Sequence, residues 1–204
     1  LDHVGEFSEW KFNVFEHWAG VGDAPDGRPS VVNSPDLRAL AARIGVRIIP
    51  FIAHLEQLSS AAGLEKRSDI LGKPDPSKPL PSDYVPGLCM SSQAMHDMLA
   101  DWFRQLAEIP GVTGIGVWLS EGRAPCFCES CAGKEPYGLE VEAIVEAFRR
   151  AQAAYPHIRL RMMTSQGSYS VNDKVLAATP PDVGITYYDG SRTYTSSRKQ
   201  IIYP

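Results

Sequence analysis

The sequence predicts an α/β fold, a partial (β/α)8 barrel of TIM type, on three observations. Five short apolar runs alternate with helical stripes, the runs are apolar throughout, and polar and aromatic residues collect directly after them. Runs of that kind suit parallel strands covered on both faces. A complete barrel has eight strands in about 250 residues. The 204 residues therefore read as one incomplete domain, 1–204, whose strands match the second to the sixth, and as part of a longer polypeptide.

The elements follow in order. Residues 2–11 carry a weak helical stripe of Val4, Phe7 and Trp10 and lead into a strand over 12–18. Ser34, Pro35 and Asp36 supply an N-cap, a first-turn proline and a first-turn acid. The helix they open has the stripe Leu37, Leu40, Ala41 and Ile44, and Gly45 ends it before a strand at 46–53. Residues 63–86, rich in Lys, Asp, Ser and Pro and without a period, read as a long surface excursion. Ser91 is placed to cap a helix with Met95, Met98, Leu99, Trp102, Phe103 and Leu106 at helical spacing, closed by Pro110 and Gly111. A strand at 112–119, a helix at 139–154, a strand at 158–164, a short helix at 170–178 and a strand at 183–188 complete the alternation.

A hydrophobic content of 44% is ample for a core. A formal net charge of −4, with Lys and Arg scattered, gives no basic field to gather phosphates, so nucleic acid is not expected as a partner. No apolar run approaches the roughly 20 residues that span a bilayer, so no membrane partner is expected.

The residues that follow the strands are Glu16, His17 and Trp18; His54 and Glu56; Ser120 and Glu121; Gln166 and Tyr169; and Tyr188 and Asp189. In a barrel this edge is where sites are built, so Glu16, His54, Glu121 and Asp189 are expected around one pocket. Trp118-Leu119-Ser120-Glu121-Gly122 closes a buried strand, and Gly122 frees the backbone to turn away, leaving Glu121 at the rim. From position alone Glu121 reads equally as a solvated turn carboxylate or as a general acid. Glu56 and Asp189 are the further catalytic candidates among the carboxylates at strand ends, with Glu16 also at a strand end. Glu16, His17, Trp18, His54, Trp118, Tyr169 and Tyr188 are the substrate-binding candidates. Their rings would stack on pyranose faces and their polar atoms meet hydroxyls, although such aromatics also serve cores.

Several stretches resemble the family-20 glycoside hydrolases, the β-N-acetylhexosaminidase group. These are Lys11-Phe12-Asn13 before the first strand, the run 45–56 ending near His54, and the run 112–121 ending in Glu121. A closer resemblance is to a related, less characterised group of barrel domains, also akin to α-glucuronidases. In that group a Cys precedes the third helix and a Cys-x-Cys-x-x-Cys follows strand four, matched here by Cys89 and by Cys126, Cys128 and Cys131, with Tyr155-Pro156-His157-Ile158 leading into strand five. The resemblance implies a barrel acting on carbohydrate with Glu121 as the acid. In the hexosaminidases an Asp precedes the Glu and orients the acetamido nucleophile. Ser120 stands there in this chain, and a hydroxyl cannot stabilise a developing positive charge as a carboxylate does.

Three cysteines within six residues can wrap one tetrahedral zinc if a fourth ligand arrives. His157 would give a spacing similar to the zinc site of tRNA-guanine transglycosylase, but it precedes a strand and so belongs to the opposite rim. Cys89 is favoured, which makes Cys89, Cys126, Cys128 and Cys131 the metal candidates. The alternatives are disulfides, which would suit an extracytoplasmic or periplasmic glycosidase, or reduced structural thiols.

The expected function is thus a glycoside hydrolase-like barrel, its partner carbohydrate, needing no cofactor for hydrolysis and carrying at most a structural zinc. The alternative, which Ser120 favours, is a catalytically silent carbohydrate-binding or scaffold barrel of a larger protein.

Overall fold

The computed structural model describes residues 13–32, 35–58, 63–80, 82, 84, 86–122 and 125–187. The helix expected at 2–11 lies outside them, as do Ser34, Tyr188 and Asp189. The strands are β1 (Val14–Asp23), β2 (Pro29–Val32), β3 (Arg47–Ile52), β4 (Gly114–Trp118), β5 (Arg159–Thr164) and β6 (Gly184–Tyr187). The helices are α1 (Pro35–Ile44), α2 (Leu55–Leu58), α3 (Gln93–Ala107), α4 (Pro136–Gln152) and α5 (Asn172–Ala178), with 3-10 turns at Leu64–Lys66 and Gln166–Val171.

The strands form one sheet in the order β2-β1-β3-β4-β5-β6. Every pairing from β1 through β6 is parallel, and β2 alone joins antiparallel, against β1. The five parallel strands lie side by side in chain order, with β2 added outside β1. That succession is the arc of a barrel, whereas a doubly wound sheet reverses at a switch point.

Alternation along the strands sorts the residues between two faces. Ile52, Ile115, Val117, Leu160 and Met162 are buried against the α3 and α4 stripes, including Leu99, Trp102, Leu106, Val141 and Ile144. Phe103 and Phe148 join the two helices edge to face, with ring centroids 5.6 Å apart. The opposite face carries Glu16, Trp18, Phe51, Gly116, Trp118 and Arg161. Gly116 is required there, because a Cβ would fall inside the Phe51 ring. Among the described residues no helix is long and apolar enough to cross a membrane.

Three local expectations are corrected. β2 is an addition to the expected strands, although Pro25-Asp26-Gly27 is a turn signal. The turn closes through Ala24 and Arg28, with Gly27 at φ 75. β2 is then held by α3, where Gln105 Oε1 accepts from Ser30 Oγ at 2.6 Å and Trp102 Nε1 donates to the Pro29 carbonyl. The stretch 63–86 is not wholly a surface excursion, since Leu64 and Ile70 are fully buried and Leu71 bridges to Leu88. The cap of α3 is Ser92 rather than Ser91, its hydroxyl accepting from Met95 N at 3.3 Å.

Candidate functional site

Two arrangements sit at the carboxyl ends of the strands. The first begins where β4 ends. Leu119 N donates to the Met163 carbonyl, which keeps the chain in the sheet for one more residue, and Ser120 is buried beyond it. The next turn is held by a carboxylate, not by glycine conformation. Glu56 Oε1 accepts from Glu121 N at 2.6 Å and from Gly122 N at 3.3 Å. Gly122 has no positive φ and open space where a Cβ would sit, so the freedom expected of it is not used. The glycine that matters is Gly167, whose Cβ would collide with the Glu121 carbonyl and the Tyr137 hydroxyl. No local pattern signals that contact, because its partners are far apart along the chain.

The Glu121 carboxyl, 40% exposed, faces His54, with His54 Nε2 at 3.7 Å from Oε1. His54 is buried and its Nδ1 lies 3.0 Å from the Leu119 carbonyl. That contact makes Nδ1 the protonated nitrogen and leaves Nε2 toward the Glu121 carboxylate. The His54 ring lies 4.8 Å from Trp118 and 6.3 Å from Trp18, and the two indoles stack at 5.1 Å and 14°. His54, Trp118 and Trp18 thus form a three-ring cluster, and Trp18, 47% exposed, presents a ring to solvent. One imidazole separates Glu121 from an aromatic platform.

The other candidates are placed less centrally. Glu16 shares the Trp18 face and ion-pairs with Arg161, whose guanidinium lies over the Phe51 ring. His17 points to the opposite face, stacked with Phe15, because adjacent strand residues alternate. Grouping it with Trp18 by sequence adjacency is therefore corrected. Tyr169 stacks on Tyr187 at 5.4 Å, at the β6 end of the arc.

Glu140, absent from the sequence-based candidates, lies beneath this rim. It projects from α4, is buried, and its Oε1 accepts from both Ser120 N (3.0 Å) and Ser120 Oγ (2.9 Å). Burial pushes its carboxyl up to about 8, against the lowering effect of the Ser120 bonds and with help from the nearby charges of Glu56 and Glu135. In an amphipathic pattern Glu140 reads as a polar-face residue, so only packing reveals it. Ser165 Oγ donates to the Ser120 carbonyl, which completes the support under Glu121.

The second arrangement is the cysteine cluster. The sulfurs of Cys89, Cys126, Cys128 and Cys131 all lie within 4.8 Å of one another, with Cys89 at 3.8 Å from both Cys128 and Cys131. All four are free thiols, so the disulfide alternative is not the state seen. Cys89 reaches the loop as the shared rim requires, just ahead of α3. Backbone N–H groups of Lys73 (3.2 Å) and Cys128 (3.4 Å) donate to Cys126 Sγ, a pattern that favours thiolate. Burial raises Cys89 and Cys126, whereas at Cys128 burial is outweighed by hydrogen bonds with Cys131 and Cys126, which hold it at about 7. Four sulfurs so grouped can hold one metal ion.

The sheet order defines an arc of a (β/α) barrel. In agreement, the fold is similar to the crystal structure of an α-galactosidase from Lactobacillus brevis, with a TM-score of 0.57 at 16% identity. The match covers 91% of this chain but 27% of that one, so the chain spans about a quarter of its structural neighbour. No family model matches the sequence, and no curated protein matches it.

Proposed function

We propose that this chain is the central arc of a carbohydrate-acting barrel of glycoside-hydrolase type, with Glu121 as general acid. The observation that carries the reading is the juxtaposition of Glu121, His54 and the Trp18–Trp118 stack at the carboxyl ends of parallel strands. The exposed Trp18 ring is suited to a pyranose face, and His54 Nε2 faces the Glu121 carboxyl at 3.7 Å beside the platform. A ligand on Trp18 would strip water from Glu121, which favours the protonated form that an acid needs. Asp189 and Glu16 are the available partners for Glu121. Glu56 acts instead by fixing the Glu121 backbone.

A second reading, a binding barrel without catalysis, is favoured by one observation. The carboxylate that contacts the Glu121 turn, Glu56, accepts the Glu121 and Gly122 amides and lines a pocket that includes neither Glu121 nor the stacked indoles. Replacing Glu121 by Gln in the full polypeptide and assaying a panel of aryl glycosides separates the two. An acid role predicts a loss of about 100-fold or more in turnover with binding retained. Unchanged turnover, or sugar binding without turnover in the wild type, would leave the binding barrel.

The same reading extends to the cysteines. Cys89, Cys126, Cys128 and Cys131 form a closed four-sulfur set of the kind that holds structural zinc, with the Lys73 and Cys128 amides supporting Cys126. Such a centre would pin the loop after β4 to the start of α3.

A further inference from the structure

A cavity of about 250 Å³ lies between the cysteine loop and the start of α4. Leu88, Met90, Phe127, Tyr137 and Leu139 line its apolar walls. Its charged lining residues are Glu56, Glu140 and Lys134, and Cys126 and Cys131 face it from the loop. Glu121 does not line it, so this space is separate from the aromatic platform.

The balance of charge there is negative. Glu140 is 3% exposed, and both of its hydrogen bonds go to Oε1, leaving Oε2 without a partner among the described residues. Glu56 and Glu135 repel its ionised form, and among the described residues it has no ion pair and Lys134 is the one cation in the lining. Four thiolates around a divalent ion would add further negative charge at the loop side. An anion is therefore disfavoured. A hard metal ion is also a poor match, because it calls for six or more oxygen ligands and the walls are largely apolar. The volume falls just below the roughly 300 Å³ at which pockets for drug-sized ligands begin, which suits a small molecule.

We propose that this cavity binds a small organic cation, a primary ammonium on a short apolar body, with the carboxyls of Glu140 and Glu56 as its anionic contacts. The ammonium takes the free oxygen of Glu140 and the body fills the space between Met90, Phe127 and Tyr137. Because Glu140 holds a proton up to about pH 8, the cation must displace it at neutral pH.

The test compares n-butylammonium with n-butanol, which has the same body without the charge, by calorimetric titration of the full polypeptide. At pH 8 the ammonium should bind at least tenfold more tightly than the alcohol. Its affinity should fall about tenfold for each pH unit below 8, since the ligand stays cationic with a lysine-like pKa near 10.4 while Glu140 takes up its proton. Titrations in two buffers of different ionisation enthalpy should show the proton released. Glu140→Gln should remove the pH dependence and most of the preference, and the wild-type comparison decides the matter even if that variant does not fold. Equal binding of ammonium and alcohol, binding of neither, or a preference that ignores both pH and Glu140→Gln would overturn the proposal.

Discussion

Between about pH 4.5 and 8 the folded chain holds a proton on Glu140 that the unfolded chain has released. The folded state then binds more protons than the unfolded one, so stability must fall as pH rises through this window and level off above it. A tenfold change in proton affinity corresponds to about 1.4 kcal/mol, and raising the carboxyl from 4.5 to about 8 amounts to roughly 5 kcal/mol in all. Set against a usual domain stability of about 5–15 kcal/mol, an effect of that size is readily measured. Glu140→Gln removes the titration yet keeps an oxygen able to accept from Ser120 N and Oγ. Urea unfolding of both proteins at pH 5, 6, 7 and 8 is the assay. The difference between the two curves isolates Glu140, because every other titrating group, Cys128 at about 7 included, is common to both proteins. The wild type should lose about 1.4 kcal/mol per pH unit relative to the variant. Parallel curves would refute the assignment of a buried, protonated Glu140.

Two further outcomes bear on the rim and on the cysteines. Gly167→Ala should destabilise the fold by about 1–3 kcal/mol and disturb the Glu121 turn, since one of the atoms it meets is a backbone carbonyl that cannot rotate aside; a melting temperature equal to wild type would contradict the close approach. Protein purified without chelator should contain one zinc per chain, and Cys89→Ser should lower that occupancy and the melting temperature together. No stoichiometric metal, with thiol reactivity unchanged by chelation, would end the zinc reading.

Much of the fold was written in local pattern. The stripe of α3 from Met95 to Leu106 and the apolar runs of β3, β4 and β5 are short-range signals, and burial followed them. The hairpin to β2 was legible in Pro25-Asp26-Gly27 but is easily passed over, because Pro29–Val32 makes a weak strand that needs Gln105 and Trp102 of α3 to hold it. The Cys89 meeting with the Cys126–Cys131 loop also followed from sequence, given parallel strands that deliver their connections to one rim.

The sequence by itself determined the order of strands and helices, the parallel sheet, and the residue types gathered at strand ends, because these depend on periodicity and chain connection. Tertiary structure alone decided which of those residues meet. It put His17 behind the sheet, gave Glu56 to the backbone of Glu121, and brought Glu140 from the second turn of α4 under Ser120. The physical reason is that side-chain direction and burial arise from packing between elements 20 to 65 residues apart, and a carboxyl's chemistry depends on the water that such packing removes.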